Sequence, residues 1–157
     1  MLRVESALVP TLRDVACRTA HQSSGLTQVH RPSSKVMKKL KKDRIREDRI
    51  HNEAIIDAGP DEQAMSWYYY LETKISFPFQ ARCVAAKSVS PLRKGETTVV
   101  AGMAPENACM QDMLVQLLWR GRKIAVPLSQ LDAIDPDEVT KEAIGDWHYW
   151  ISQGYLL

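Results

Sequence analysis

The chain has little with which to build a cross-linked or thiolate-metal scaffold. Its three cysteines, Cys17, Cys83 and Cys109, lie far apart with no Cys-x-x-Cys spacing, which excludes a disulfide framework and a zinc ribbon. A reducing compartment, and so a cytoplasmic location, is the simple expectation. Long apolar runs are also missing. Uncharged stretches such as Met113–Trp119 fall far short of the roughly 20 residues that a bilayer span needs, so no membrane partner is expected. No apolar h-region of about 7–15 residues follows Met1-Leu2-Arg3, which argues against a secretory signal. The chain holds no G-x-G-x-x-G, P-loop, H-E-x-x-H or G-x-S-x-G motif, the patterns that would mark nucleotide or hydrolase chemistry. It has no internal repeat. No enzymatic activity is expected.

What is present is an ordinary globular composition: 157 residues, 45% hydrophobic and 25% charged, enough for one domain with an extension. Lys and Arg number 21 against 19 Asp and Glu, a net charge of +2, but the balance is uneven. Residues 1–50 carry 12 basic and 5 acidic side chains, whereas residues 51–157 carry 9 basic and 14 acidic. The part with a plausible core is therefore acidic. Acidic surfaces favour cations, and basic arms favour nucleic acid or acidic lipid.

Residues 1–36 show no sustained period and are rich in Ser, Thr and Arg, which reads as disorder or as a non-native extension ahead of a start-like Met37. From Lys38 to Ala58 the composition becomes helical, without Gly or Pro. Gly59-Pro60 ends that helix, with Pro60 at the first position of the next and Asp61 and Glu62 in its first turn. Ala64, Tyr68, Leu71 and Ile75 then form one face. The pair reads as a helical hairpin over 37–76. After Ser76 the period becomes two: Phe77, Phe79, Ala81, Cys83 and Ala85; then Thr97–Met103; then Met113, Val115, Leu117 and Trp119, with Arg120-Gly121-Arg122 turning into Lys123–Val126. Four or five short antiparallel strands over 77–135 predict a small SH3-like β-barrel, with a 3₁₀ turn near Pro127–Leu131. Ile144, Trp147 and Ile151 mark a C-terminal helix within 137–157, capped by Gly154. The fold class is α+β.

Chemistry is sparse. His148, inside Asp146-Trp147-His148-Tyr149-Trp150, reads as a residue packed at a helix–barrel seam. Four consecutive aromatics, Trp67 to Tyr70, could form a stacking platform. On a helix each step rotates about 100°, so they cannot share one side, and packing is the better reading. The basic segment Lys35–Arg49 could meet phosphates, but Asp43, Glu47 and Asp48 interrupt it, and nucleic acid is not the expected partner. Two groups of carboxylates remain: Asp57, Asp61, Glu62 and Glu72 around the hairpin, and Asp132, Asp135, Asp137 and Glu138 before the last helix. Calcium takes about 6–8 oxygens from carboxylates, carbonyls and waters. The second group is not an EF-hand: a loop begun at Asp135 puts Thr140 where Gly is needed and Asp146 at the last position. By spacing alone, solvated acids and helix N-caps are the commoner meaning of such residues.

The strings Ile55-Ile56-Asp57-Ala58, Trp67-Tyr68-Tyr69-Tyr70-Leu71-Glu72, Phe77-Pro78-Phe79, Gly102-Met103-Ala104-Pro105-Glu106, Ala125-Val126-Pro127-Leu128 and Asp146-Trp147-His148-Tyr149-Trp150 resemble the CcbP-type calcium-binding proteins, which are small, bacterial and free of EF-hands. The resemblance runs from Arg44 to Leu157. It implies Ca²⁺ as the bound ion, a role in intracellular calcium buffering or sensing, and surface ligands drawn from Asp57, Asp61, Glu62, Glu72, Asp132, Asp135 and Asp137. In that family an acidic residue commonly follows the Leu-Glu of the aromatic motif; here Thr73 stands there, one strong ligand fewer. The alternative is an SH3-like interaction module, its metal site weakened or lost, that binds a protein or nucleic-acid partner.

Overall fold

The computed structural model describes residues 41–157. The expected 1–36 extension and Cys17 lie outside the described residues. The first helix is shorter than its composition implies. Asp43 caps it, its carboxylate accepting the Arg46 N–H at 3.3 Å, and helix α1 runs only Arg44–Arg49. Ile50–Ala54 then widens into a π-helical turn, with Ile55 N–H bonded to Ile50 O at 3.0 Å. Helix α1 buries no residue, whereas Ile50 and Ala54 of the π turn reach the core.

Helix α2, Gln63–Lys74, starts three residues beyond Pro60. Pro60–Glu62 form a turn, closed by Glu62 N–H to Gly59 O at 2.9 Å, so Glu62 is the N-cap position and not part of the first turn. The anticipated face is buried: Ala64, Tyr68, Leu71 and Ile75, joined by Trp67 and Tyr70.

Five strands form one antiparallel sheet: β1 Phe79–Cys83, β2 Thr97–Met103, β3 Leu114–Trp119, β4 Arg122–Pro127 and β5 Leu131–Ala133. Their order is β4-β3-β2-β1-β5. This corrects the expected SH3-like barrel: the sheet is open, with β4 and β5 at opposite edges. The physical reason is cover. Ala81, Val100, Val115, Leu117 and Val126 make a continuous core with Trp67 and Trp147 of the helices, so helices bury the apolar face and the sheet need not close on itself. The β3–β4 turn uses Arg120 and Gly121, both at positive φ (49° and 77°), as a two-residue hairpin of the right twist demands. A 3₁₀ turn, Leu128–Gln130, carries the chain from β4 to β5.

Helix α3, Glu138–Ser152, is capped by Asp137 and followed by Gly154 at φ 79°. Ile144 and Trp147 are buried as expected, but Ile151 is exposed, and Ala143 and Trp150 complete the inward face. The three tryptophans of α2 and α3 pack edge-on or tilted, Trp67 lying 5.2 Å from Trp147 and 5.5 Å from Trp150. No helix among the described residues is long and apolar enough to cross a membrane.

Candidate metal centre

The acids before the last helix do not form one loop. Asp132 lies in β5, opposite Arg82 of β1, because Leu131 and Ala133 on either side of it turn toward the core. This corrects its grouping with Asp135, Asp137 and Glu138 before the last helix. Asp135 sits in the following turn at φ 48° and is exposed. Asp137 is the N-cap of α3: one carboxylate oxygen accepts the Thr140 N–H at 2.9 Å and the other accepts the Thr140 hydroxyl at 2.7 Å. The Thr140 hydroxyl oxygen in turn accepts the Ser76 N–H at 2.9 Å. The backbone N–H of Thr140, and then its hydroxyl, hold the Asp137 carboxyl below the usual carboxylate range. Asp135, Asp137, Ser76 and Gln80 line a surface cleft of about 400 Å³.

The hairpin acids also divide. Asp57 (φ 53°), Asp61 and Glu62 share the exposed turn ahead of α2, where a Glu62 oxygen accepts the Gly59 N–H at 3.4 Å. Glu72 lies ten residues further along α2, about 15 Å away at the helical rise, and cannot share an ion with that turn. Its neighbours are different ones. Tyr69 donates its hydroxyl to Glu106 at 2.8 Å. Glu106 raises the Tyr69 pKa chiefly through that bond, and the charge of Glu72 adds to it. Burial raises Tyr68, with Glu72 and Glu106 contributing. Glu72 stands at i+3 from Tyr69, its neighbour on the surface of α2. Glu106 was missed as a candidate because it is a lone acid in sequence, although it ends the Gly102–Glu106 string.

Asp146, the last position of the rejected EF-hand register, is fully buried. Arg49 grips it with two bonds of 2.6 and 2.8 Å, Arg46 lies 3.4 Å away and the Tyr70 hydroxyl donates at 3.0 Å. Two guanidinium groups already satisfy this carboxylate, and they are also withdrawn from the basic segment that could have met phosphates. The aromatic platform likewise disappears: Trp67, Tyr68 and Tyr70 are buried and Tyr69 is tied to Glu106. The His148 ring lies 3.3 Å from Leu128 O, at the junction of α3 with the 3₁₀ turn.

Among the described residues no three His, Cys, Asp or Glu side chains come together to hold an ion. The exposed donors are hard carboxylate oxygens, which suit calcium and not soft metals. Glu106 is bonded to Tyr69, one helical turn from Glu72, and Asp135 and Asp137 line one cleft, so carbonyls and waters would have to complete a coordination shell.

Residues 48–151 match a family model described as calcium binding, the CcbP family. The crystal structure of Anabaena CcbP is 39% identical, with a TM-score of 0.67 and coverage of 75% of this chain and 98% of that one. A calcium binding protein in its calcium-binding form is also 39% identical, with a TM-score of 0.62 and coverage of 73% and 94%. No curated protein matches the chain. A match over most of the described domain, with the same fold at that identity, makes this chain a member of the CcbP family of calcium-binding proteins.

Proposed function

We propose that the chain binds calcium reversibly in the cytoplasm, as a buffer and without catalysing a reaction. The observation that carries this reading is the family match over 48–151 together with 39% identity to a protein solved in a calcium-binding form. Two surface positions are offered for the ion. One is Glu72 with Glu106 beside Tyr69; the other is Asp135 with Asp137 at the cleft before α3. Calcium bound there would neutralise the paired carboxylates and do no covalent chemistry. Because each position brings only two carboxylates, affinity falls well below the roughly 10⁻⁹–10⁻⁸ M of dedicated cytosolic buffers, to about 10⁻⁴ M or weaker.

Isothermal titration tests this. Calcium should give a saturable signal, and magnesium a weaker one, because magnesium demands octahedral geometry and sheds water reluctantly. Glu72→Gln or Glu106→Gln should weaken binding at the first position, and Asp135→Asn at the second, with Asp57→Asn, Asp61→Asn and Asp132→Asn having less effect. A titration flat to millimolar calcium refutes the reading.

A further inference from the structure

Five of the nine basic side chains in residues 51–157 lie at one end of the sheet: Arg93, Lys94 and Arg120 on two turns that line one cleft, and Arg122 and Lys123 at the start of β4, where Arg122 shares the face of Trp119 and Lys123 takes the other. The turns are joined: the Trp119 indole N–H donates to Glu96 at 3.4 Å, and the other Glu96 oxygen accepts the Arg93 N–H at 3.0 Å. All five cations are exposed, and among the described residues none forms an ion pair, whereas Lys74, Lys87 and Lys141 each have a carboxylate partner. The Arg120 guanidinium lies over the Trp119 ring at 4.5 Å, at a cleft of about 450 Å³ in which Glu96 is the one carboxylate. Gly95 and Gly121, at φ 89° and 77°, keep both turns tight.

A cluster of cations with one carboxylate among them, on an otherwise acidic domain, points to a polyanion. The planar Trp–Arg pair is what distinguishes the candidates. An acidic peptide would use the charges and leave the pair without a role, and duplex DNA asks for a longer basic stripe along a groove. A single strand uses both, phosphates on the cations and a base on the stacked pair. We infer that this end of the sheet binds single-stranded nucleic acid, with Arg93, Lys94 and Arg122 on the phosphates and Trp119–Arg120 as the stacking position.

The test is fluorescence anisotropy of the full chain with a labelled oligothymidylate of about twelve nucleotides, in EDTA so that calcium binding has no bearing on the result. Three phosphate contacts predict binding about 20-fold weaker when salt rises from about 50 to about 200 mM. Arg93→Glu with Lys94→Glu should weaken binding at least about tenfold and Arg122→Glu severalfold, whereas Lys123→Glu, on the other face of β4, should do less. Arg120→Ala should weaken it without a large change in salt slope, since it removes a stacking partner. Lys141→Glu, on α3, should leave it unchanged. No binding at low salt overturns the proposal. So does binding that survives the Arg93–Lys94 and Arg122 reversals, which would belong to the Lys-rich segment before Asp43. Displacement by polyglutamate as effective as by unlabelled oligonucleotide would also overturn it, in favour of an acidic protein partner.

Discussion

Asp146 ties three helices together through its two oxygens: Arg46 and Arg49 reach it from α1, Tyr70 from α2, and it belongs to α3. Its hydrogen bonds, and then its charge, hold the Arg49 guanidinium more strongly protonated than usual, and burial together with this carboxylate raises the Tyr70 phenol. Removing the carboxylate strips the buried Tyr70 hydroxyl and both guanidinium groups of their shared acceptor, leaving Arg49 only its pair with Glu142 at 3.0 Å, so Asp146→Ala should cost about 3 kcal/mol, read as a lower urea midpoint with an unchanged slope. The double change Asp146→Leu with Arg49→Met should recover much of that, because it removes both desolvated charges. A loss under about 1 kcal/mol in the single variant would show that the clasp is decorative. The cysteines make a second case. Cys83 and Cys109 are buried, and burial raises the Cys109 thiol further. Peptide mapping after exposure to a thiol reagent should find both unlabelled in the native protein and labelled in urea.

Helix α1 is held to α3 by polar contacts and by Arg46 lying over the Tyr149 ring at 5.7 Å, since none of its residues is buried. The Tyr149 hydroxyl is central to this, donating to Glu47 at 3.0 Å and accepting the Asp43 N–H at 3.1 Å. Tyr149→Phe should therefore speed hydrogen exchange in Arg44–Arg49 about fivefold, the equivalent of about 1 kcal/mol, while leaving α2 protected. Equal acceleration in α2 would contradict separate anchoring. Helix α3 depends on its cap. The Asp137 carboxyl is held below the usual range by Thr140, so its contribution is complete at neutral pH and fades as pH falls through the lowered folded value. The gap between the wild-type urea midpoint and that of Asp137→Ala should be full at pH 7 and close below about pH 4. Asp137→Asn, which keeps an acceptor but no charge, should fall between wild type and Asp137→Ala at neutral pH. A gap unchanged in acid would mean that the charged form of Asp137 is not what caps α3.

For the molecule as a whole, bound calcium should appear as stability, by about 2.7 kcal/mol when the free ion reaches a hundred times its dissociation constant. A melting series with calcium should rise accordingly, by several degrees for a domain this size. Thr73→Asp adds a carboxylate next to Glu72, and should enlarge the shift if that end of α2 is the binding position. An unchanged shift in Thr73→Asp, alongside a lost one in Asp135→Asn, would move the ion to the cleft before α3.

The strands were legible in advance because alternation is a local property: Ala81, Cys83, Val115 and Leu117 point inward for the same reason that their neighbours do not. The α2 face, the β3–β4 hairpin turn and Gly154 past α3 were legible on the same footing, each depending on residues a few positions apart. Long-range pairing left no such trace. Nothing local foretells that Arg49 meets Asp146 across 97 residues, or that Tyr69 meets Glu106 across 37. Asp132 reads as a loop acid until β5 pairs with β1. Whether five strands close into a barrel depends on what covers their apolar face, and here α2 and α3 cover it. Local periodicity, caps and turns were determined by the sequence itself, since steric and hydrogen-bonding preferences act over one or two turns of chain. The partners of each charge and the openness of the sheet were decided only by tertiary packing, where burial selects among contacts that the sequence leaves equally open.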